Sequence, residues 1–248
     1  MKAIAFTIRL NSLYSIRIPY TWQSALTYPL PPPSAIIGML ANALQRYKND
    51  RPPLEYLDKV EENIIWVGAK LLSPAVIKSY TTSAITNWKM EIGGKSTNAL
   101  GREYGFTRGI EVLVVIKNDK FEREIGKTLK TSPITCGDSE SIATIEDMDT
   151  SLECKDFEVD AGRKIETEYP LSYDFEKIKI VGNNSGLVYA VHERCRKKDE
   201  NFPLKSYLFP IEKVNGIYTP VKIYVENKVP VKVLEIEGKG RIIKQILN

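Results

Sequence analysis

Two stretches in the first 145 residues carry a helical period, and each lies between strand-like runs; that alternation constrains the fold more than any other feature. At the N-terminus Ile4, Phe6, Ile8 and Leu10 alternate with Ala3, Ala5, Thr7 and Arg9, the period of a half-buried strand. The rigid run YPLPPP, Tyr28 to Pro33, cannot continue a ladder. Beyond it Ile36, Met39, Leu40, Ala43, Leu44 and Tyr47 form one stripe of a 3.6-residue period, with Ser34 as start signal and Asn49 to Pro53 as stop. Gly38 sits inside this helix at a cost of about 1 kcal/mol relative to Ala, which points to close approach of another backbone. Asn63 to Leu72 and Ile110 to Lys117 read as strands, Lys120 to Leu129 as a short helix, and Ile134 to Ile145 as a turn and strand.

Strand, helix, strand, strand, helix, strand is the split βαβ order of an α+β, ferredoxin-like fold. A polar excursion, residues 73–109, interrupts it between the second and third strands. A connection of that length is either functional or a small structured unit. The remainder is strand-rich: Ile178 to Val181, Leu187 to Val191, Tyr207 to Ile211, Ile217 to Val225 and Val229 to Ile236. Asn215-Gly216 marks a type I′ hairpin. The expected organisation is a ferredoxin-like domain over residues 1–148, carrying the insertion, and a β-rich C-terminal region over 149–248.

Charge narrows the partner only slightly. Lys and Arg number 35 against 31 Asp and Glu, a net +4 over 248 residues, so a polyanion is permitted but not required. The location of the basic residues therefore matters more than their total. Cys136, Cys154 and Cys195 are widely spaced and form no C-x-x-C pair, which argues against zinc and disulfides and for a reduced, cytoplasmic protein. No run approaches the roughly 20 apolar residues of a membrane span, and no secretory block opens the chain. The single histidine, His192, ends a strand-like run and reads as a partly exposed strand-end residue rather than a catalytic one.

Three motifs compete for the chemistry. Gly94-Lys95-Ser96 suggests a phosphate loop, but the pattern needs glycine at position 89, which is Lys89. The carboxylates Asp138, Glu140, Glu146, Asp147 and Asp149 have the oxygen ligands a hard cation prefers, without the spacing of a calcium loop. The excursion interleaves Lys89, Lys95, Arg102 and Arg108 with Trp88, Tyr104 and Phe106, and Arg17, Tyr20 and Trp22 precede the prolines. Cations for phosphates and rings for bases are how single strands are gripped. A further basic run at Arg194, Arg196, Lys197 and Lys198 is explained by a solvated turn.

The stretch QSALTYPLPPPSAIIGMLANAL, Gln23 to Leu44, resembles the N-terminal signature of the fifth CRISPR-associated protein family, a branch of the repeat-associated RNA-binding (RAMP) superfamily. GDSES, Gly137 to Ser141, is similar to a recurring element before the family's fourth strand. The resemblance covers about the first 145 residues and looks closest to archaeal type I-A or I-B members. It implies a non-enzymatic subunit of a type I Cascade antiviral complex that caps the 5′ handle of the CRISPR RNA, with residues 73–109 as a thumb. The implied partners are that RNA, the backbone and large subunits, and, left open, target DNA near the protospacer-adjacent motif.

On this reading the RNA-binding residues are Arg17, Tyr20, Gln23, Ser34, Lys89, Lys95, Arg102, Tyr104 and Arg108, with no cofactor, metal or catalytic residue. The type I-C branch cleaves precursor RNA with Tyr, Lys and His, and this chain has no histidine near its thumb. The runner-up is therefore a metal-independent endoribonuclease acting on CRISPR repeats. A second alternative is a Mg-dependent small-molecule enzyme built on Asp138 and Glu140.

Overall fold

The alternating N-terminal run forms β1 (Lys2–Leu10), followed by the two-residue β2 (Ser24–Ala25) and helix α1 (Pro33–Lys48). The computed structural model describes residues 1–21, 24–85, 97–195 and 202–247, the side chains of 82–85 and 97–100 excepted. Helix α1 begins at Pro33, with Pro32 rather than Ser34 at its N-cap and no side-chain cap bond. It ends where Asn49 turns left-handed (φ 47°) and its N–H closes on the Gln45 carbonyl at 2.7 Å. Its buried face is wider than one stripe, adding Ile37 and Ala41, whereas Tyr47 is exposed.

The segment Asn49 to Pro53 is more than a stop. Pro53 also opens a second helix, α2 (Pro53–Asn63), because proline is pre-set for the first helical turn. Tyr56, Leu57 and Val60 are its buried residues, and it packs on α1.

Next come β3 (Ile64–Leu71), β4 (Ala75–Ile85), β5 (Thr97–Thr107), β6 (Ile110–Ile116), α3 (Asp119–Thr131), β7 (Ile134–Thr135) and β8 (Ile142–Val159). Strands β1, β3, β6 and β8 form one antiparallel sheet in the order β8-β1-β6-β3, so the first strand lies between the third and fourth of this set. Helices α1 and α3 cover one face, packing on Ile4, Phe6 and Ile8. Asn118 caps α3 by accepting the Phe121 N–H at 2.8 Å.

The C-terminal half supplies β9 (Lys164–Thr167), β10 (Leu171–Ser172), β11 (Ile178–Val181), β12 (Leu187–Val191), β13 (Lys205–Phe209), β14 (Ile211–Val214), β15 (Ile217–Pro220), β16 (Ile223–Asn227), β17 (Val231–Ile236) and β18 (Gly240–Ile246). The run Ile217 to Val225 is two strands rather than one, and β18 extends past the last strand expected from sequence. Asn215 and Gly216 both have positive φ (52° and 80°), as a type I′ turn between β14 and β15 requires.

Strands β17 and β18 join the main sheet through β8, and the expected division at residue 148 falls inside β8. This corrects the half-buried reading of β1. Ala3 and Ala5 are as buried as Ile4, because Trp66, Tyr169, Leu234 and Ile242 cover the second face of the sheet. Small side chains on that face leave room for the covering layer.

A buried ion cluster holds this layer to the sheet. Glu111 on β6 accepts the Tyr169 hydroxyl and pairs with Lys239 at 2.7 Å and Lys70 at 3.2 Å. Burial works to raise its carboxyl, but hydrogen bonds from Lys239 and Tyr169, with Lys70 nearby, outweigh that and hold it below the usual carboxylate range.

The excursion is a long antiparallel hairpin, β4 and β5 pairing without a break from Ala75 opposite Thr107 to Ile85 opposite Thr97. It belongs to a separate five-stranded sheet, β14-β15-β4-β5-β2. Nothing in its amino-acid pattern announces so regular a ladder, because its strands are polar and lack a clean apolar alternation.

Candidate functional site

Three chain segments meet beside α1. The first is the loop after β1, which folds back on itself: Ile18 N–H donates to the Leu26 carbonyl at 2.8 Å and Tyr28 N–H to the Ile16 carbonyl at 2.9 Å. Thr27 Oγ1 accepts the Ile16 N–H at 2.8 Å. At the tip of this loop Tyr20 is 85% exposed with φ 59°, an uncommon backbone for a bulky residue.

The second segment is the hairpin, joined to the loop by main-chain pairing at two points. Tyr14 and Gly105 exchange main-chain bonds at 2.9 and 2.8 Å, and β2 runs parallel to β5 with Ala25 opposite Arg102. Tyr14 is fully buried against Gly105, where any Cβ would lie 2.4 Å from its ring, and its hydroxyl donates to the Pro29 carbonyl at 2.7 Å. Burial pushes the Tyr14 phenol far above its ordinary range, so it stays a neutral donor.

The third segment is the Gly137 to Ser141 turn before β8. Gly137 adopts φ +103°, and a Cβ there would lie 2.6 Å from the Ser15 carbonyl oxygen, so only glycine lets the turn close on the loop. Asp138 accepts from Ser141 Oγ and forms an ion pair with Arg102 of the hairpin. Arg102 Nε also donates to Ser15 Oγ at 3.3 Å, and Ser15 Oγ in turn donates to the Glu103 carbonyl at 3.0 Å. One guanidinium thus ties all three segments together.

These segments and α1 enclose an open cleft of about 920 Å³. The α1 wall is Ala35, Gly38, Met39, Asn42 and Arg46, residues at i, i+3, i+4, i+7 and i+11. Gly101, Gly137 and Ala25 leave backbone at the surface of the other walls. Among the described lining residues, three guanidinium groups, Arg17, Arg46 and Arg102, face one carboxylate, Asp138. The cavity is large enough for a bound group of ligand size, and its charge favours an anion.

Of the sequence-chosen residues, Arg17 and Arg102 line this cleft, with Arg17 Nη2 held on the Thr21 carbonyl at 3.3 Å. Tyr20 stands at the loop tip. Tyr104 lies against Arg102, its ring 4.9 Å from the guanidinium carbon. Arg108 is exposed past the end of β5, where its N–H donates to Ser73 Oγ at 3.1 Å, away from the cleft. Ser34 also lies outside it; its N–H donates to the His192 carbonyl at 3.3 Å and its carbonyl accepts from Cys195 Sγ at 3.1 Å. Gln23, Lys89 and Lys95, with Trp22 and Trp88, fall outside the described residues.

Asn42, Arg46, Ser15 and the backbone of Gly101 are the additions sequence reasoning missed. The signal for the first two is present in α1, as a polar and small stripe beside the apolar one.

Several single-residue expectations are corrected. Gly38 does not admit another backbone: a Cβ there would meet only Cys195 Sγ at 3.6 Å, and the glycine opens onto the cleft. The prolines of YPLPPP, read only as a rigid run, are all buried and lead into α1. Tyr28 before them is buried, its phenol pushed up to about 12 and its hydroxyl donating to the Ala190 carbonyl. His192 is buried rather than partly exposed; its ring stacks on Phe202 at 3.6 Å and Nδ1 lies 3.0 Å from the Pro203 carbonyl. Among the described residues no group of three or more His, Cys, Asp or Glu side chains forms a metal site. Within the acidic run, Glu146 pairs with Arg9 and Asp149 with Lys239, both at 3.3 Å.

The family described as "CRISPR-associated protein (Cas_Cas5)" matches residues 7–193, which include every wall of the cleft. The chain belongs to this family. Its role is CRISPR-associated. Among solved structures, a CRISPR protein from Archaeoglobus fulgidus is similar over 98% of this chain and 99% of its own, at 15% identity and a TM-score of 0.60, which shows a shared fold. A type III-B Cmr-beta complex bound to cognate target RNA and AMPPnP matches at 12% identity over 89% of this chain and 86% of its own, with a TM-score of 0.48. A CRISPR RNA-guided surveillance complex matches at 14% identity, over 88% and 91%, with a TM-score of 0.41. No curated protein matches the chain.

Proposed function

We propose that this Cas_Cas5 family member is a non-catalytic RNA-binding subunit of a type I Cascade complex, and that its cleft holds the 5′ handle of the CRISPR RNA. The observation that carries this reading is the cleft itself, where three guanidinium groups and exposed backbone face one carboxylate. Phosphates are positioned by cations and backbone N–H groups, and small polar side chains such as Ser15, Ser24 and Asn42 are suited to base edges. The order β8-β1-β6-β3, with α1 and α3 on one face, supports a ferredoxin-like core, and the β4–β5 hairpin takes the place of a thumb. The other proposed partners are the backbone and large subunits, in the cytoplasm. Among the described residues no helix is long and apolar enough to cross a membrane.

Binding without cleavage is part of the same proposal, and the endoribonuclease reading makes a distinct chemical demand. General acid–base catalysis on a ribose hydroxyl needs a group able to exchange protons near neutral pH within reach of the RNA. Asp138, the one carboxylate among the described lining residues, is engaged by Arg102 and Ser141. End-labelled repeat RNA incubated with the pure chain in EDTA should be retained on a native gel and run intact on a denaturing one. A single discrete cleavage product would replace this reading with the endoribonuclease one.

A further inference from the structure

The outer edge of β4 is open over most of its length. Tyr14 and Gly105 exchange main-chain bonds on the far side of β5, and the Glu103 carbonyl accepts Ser15 Oγ on that side. Main-chain groups alternate between the two sides of a strand, so Gly101, Glu103 and Gly105 face away from β4. The bonds to β4 therefore come from Arg102, Tyr104 and Phe106, opposite Tyr80, Lys78 and Val76. The intervening residues of β4, Ala75, Ile77, Ser79, Thr81, Ser83 and Ile85, turn their N–H and C=O groups outward. Ala75 is met there by Tyr218 of β15, whose antiparallel pairing with β4 reaches only to Val76. Among the described residues no strand pairs with this edge beyond Val76. Edges left to solvent are usually blunted by proline, bulges or several charges. From Ile77 to Ile85 β4 has no proline, pairs with β5 without a register shift and carries a single charge, Lys78.

We infer that two free chains pair antiparallel through this edge, β4 on β4, about a two-fold axis at Thr81. That register matches Ile77 with Ile85, Ser79 with Ser83 and Thr81 with itself, so every outward N–H and C=O from Ile77 to Ile85 finds a partner. It sets Lys78 opposite Ala84 and Tyr80 opposite Thr82, and no like charges face each other. The edge thus complements its own reverse, which is what an isologous contact demands. Pairing uses up the edge of both copies, so assembly stops at two and does not run on into a fibre. A contact of one strand from each copy falls below the roughly 1,000 Å² of a stable interface, so the dimer is weak and reversible. The geometry is that of the main chain and holds whatever the cleft binds.

Sedimentation velocity of the full chain between about 1 and about 200 μM tests this pairing. Wild type should pass from monomer to dimer within that range and form nothing larger. Thr81→Pro removes an outward donor without touching the bonds to β5, and this variant should stay monomeric with its far-ultraviolet circular dichroism unchanged. Thr81→Lys and Thr81→Glu each bring like charges together at the axis. Either variant alone should dimerise roughly fivefold more weakly, while an equimolar mixture of the two should regain the association of wild type. Recovery in the mixture separates lost pairing from lost folding. A chain that stays monomeric throughout overturns the inference and leaves the edge to a strand of a different protein. A dimer that Thr81→Pro and both charge variants leave unchanged overturns it as well, by placing the contact on another surface.

Discussion

Arg102, from the hairpin, and Asp138, from the turn before β8, form an ion pair across the floor of the cleft. They are 36 residues apart in sequence, and the same guanidinium bonds Ser15, another 87 residues upstream. The pair sets the geometry of the site, and it also neutralises one of the site's three guanidinium groups. Replacing Asp138 with Asn keeps the shape of the side chain and removes its charge. RNA affinity should therefore rise and the slope of log affinity against log salt should steepen by about 1. Weaker binding with an unchanged slope would mean that Arg102 serves the fold alone.

Arg46 makes the complementary case. Its guanidinium is exposed, and the hydrogen bond it donates to the Pro133 carbonyl is 3.2 Å long and at the surface. Arg46→Ala should shift the melting temperature by less than about 2 °C and reduce the salt slope for RNA binding by about 1, equally across sequences. A sequence-dependent loss would place Arg46 on base edges instead.

Gly137 is fixed by both its dihedral and its surroundings. An alanine at φ +103° is strained, and its Cβ would press on the Ser15 carbonyl at 2.6 Å. Gly238, at φ +70° with nothing within 4 Å of where a Cβ would lie, isolates the dihedral cost alone. Gly137→Ala should cost about 2–4 kcal/mol, against about 1 kcal/mol for Gly238→Ala, and thermal melts of the two variants give the comparison. Equal losses would show that the turn can move away from Ser15.

Glu111 gives the fold a pH dependence with a definite sign. Its carboxyl is held below the usual range in the folded chain, so its stabilising effect is complete above the unfolded value, near 4.3, and is lost as pH falls through the folded one. Between about pH 5 and pH 3 wild type should lose more melting temperature than Glu111→Gln, which is less stable at neutral pH but insensitive at this position. Parallel curves would mean that Lys70 and Lys239 pair no better with Glu111 here than in the unfolded chain.

Local pattern carries some elements and not others. Ile178–Val181 and Leu187–Val191 appear as read, because each is a short β-branched run closed by the same glycine- and asparagine-rich turn. Helix α2 escapes a reading of the sequence because Pro52-Pro53 serves equally well as the end of one helix and the start of another. The burial of Ala3 and Ala5 needs a covering layer built from Trp66 and from residues beyond 160, which no local period reveals. The candidate site divides in the same way. Cation and ring content points to Arg17, Arg102 and Tyr104, while Asn42 and Arg46 become recognisable only once Gly38 is seen to open α1 onto the cleft. In sequence Asp138 is one of a run of carboxylates, and its pairing with Arg102 depends on a tertiary contact.

The most direct measurement is photocrosslinking of repeat RNA carrying 4-thiouridine at successive handle positions, with the attachment sites read by mass spectrometry of the peptides. The account predicts crosslinks on the segments that wall the cleft, residues 15–17, 24–25, 35–46, 101–102 and 135–139, and intact RNA throughout. Crosslinks confined to the strands beyond residue 160, or none on these wall segments, would contradict it.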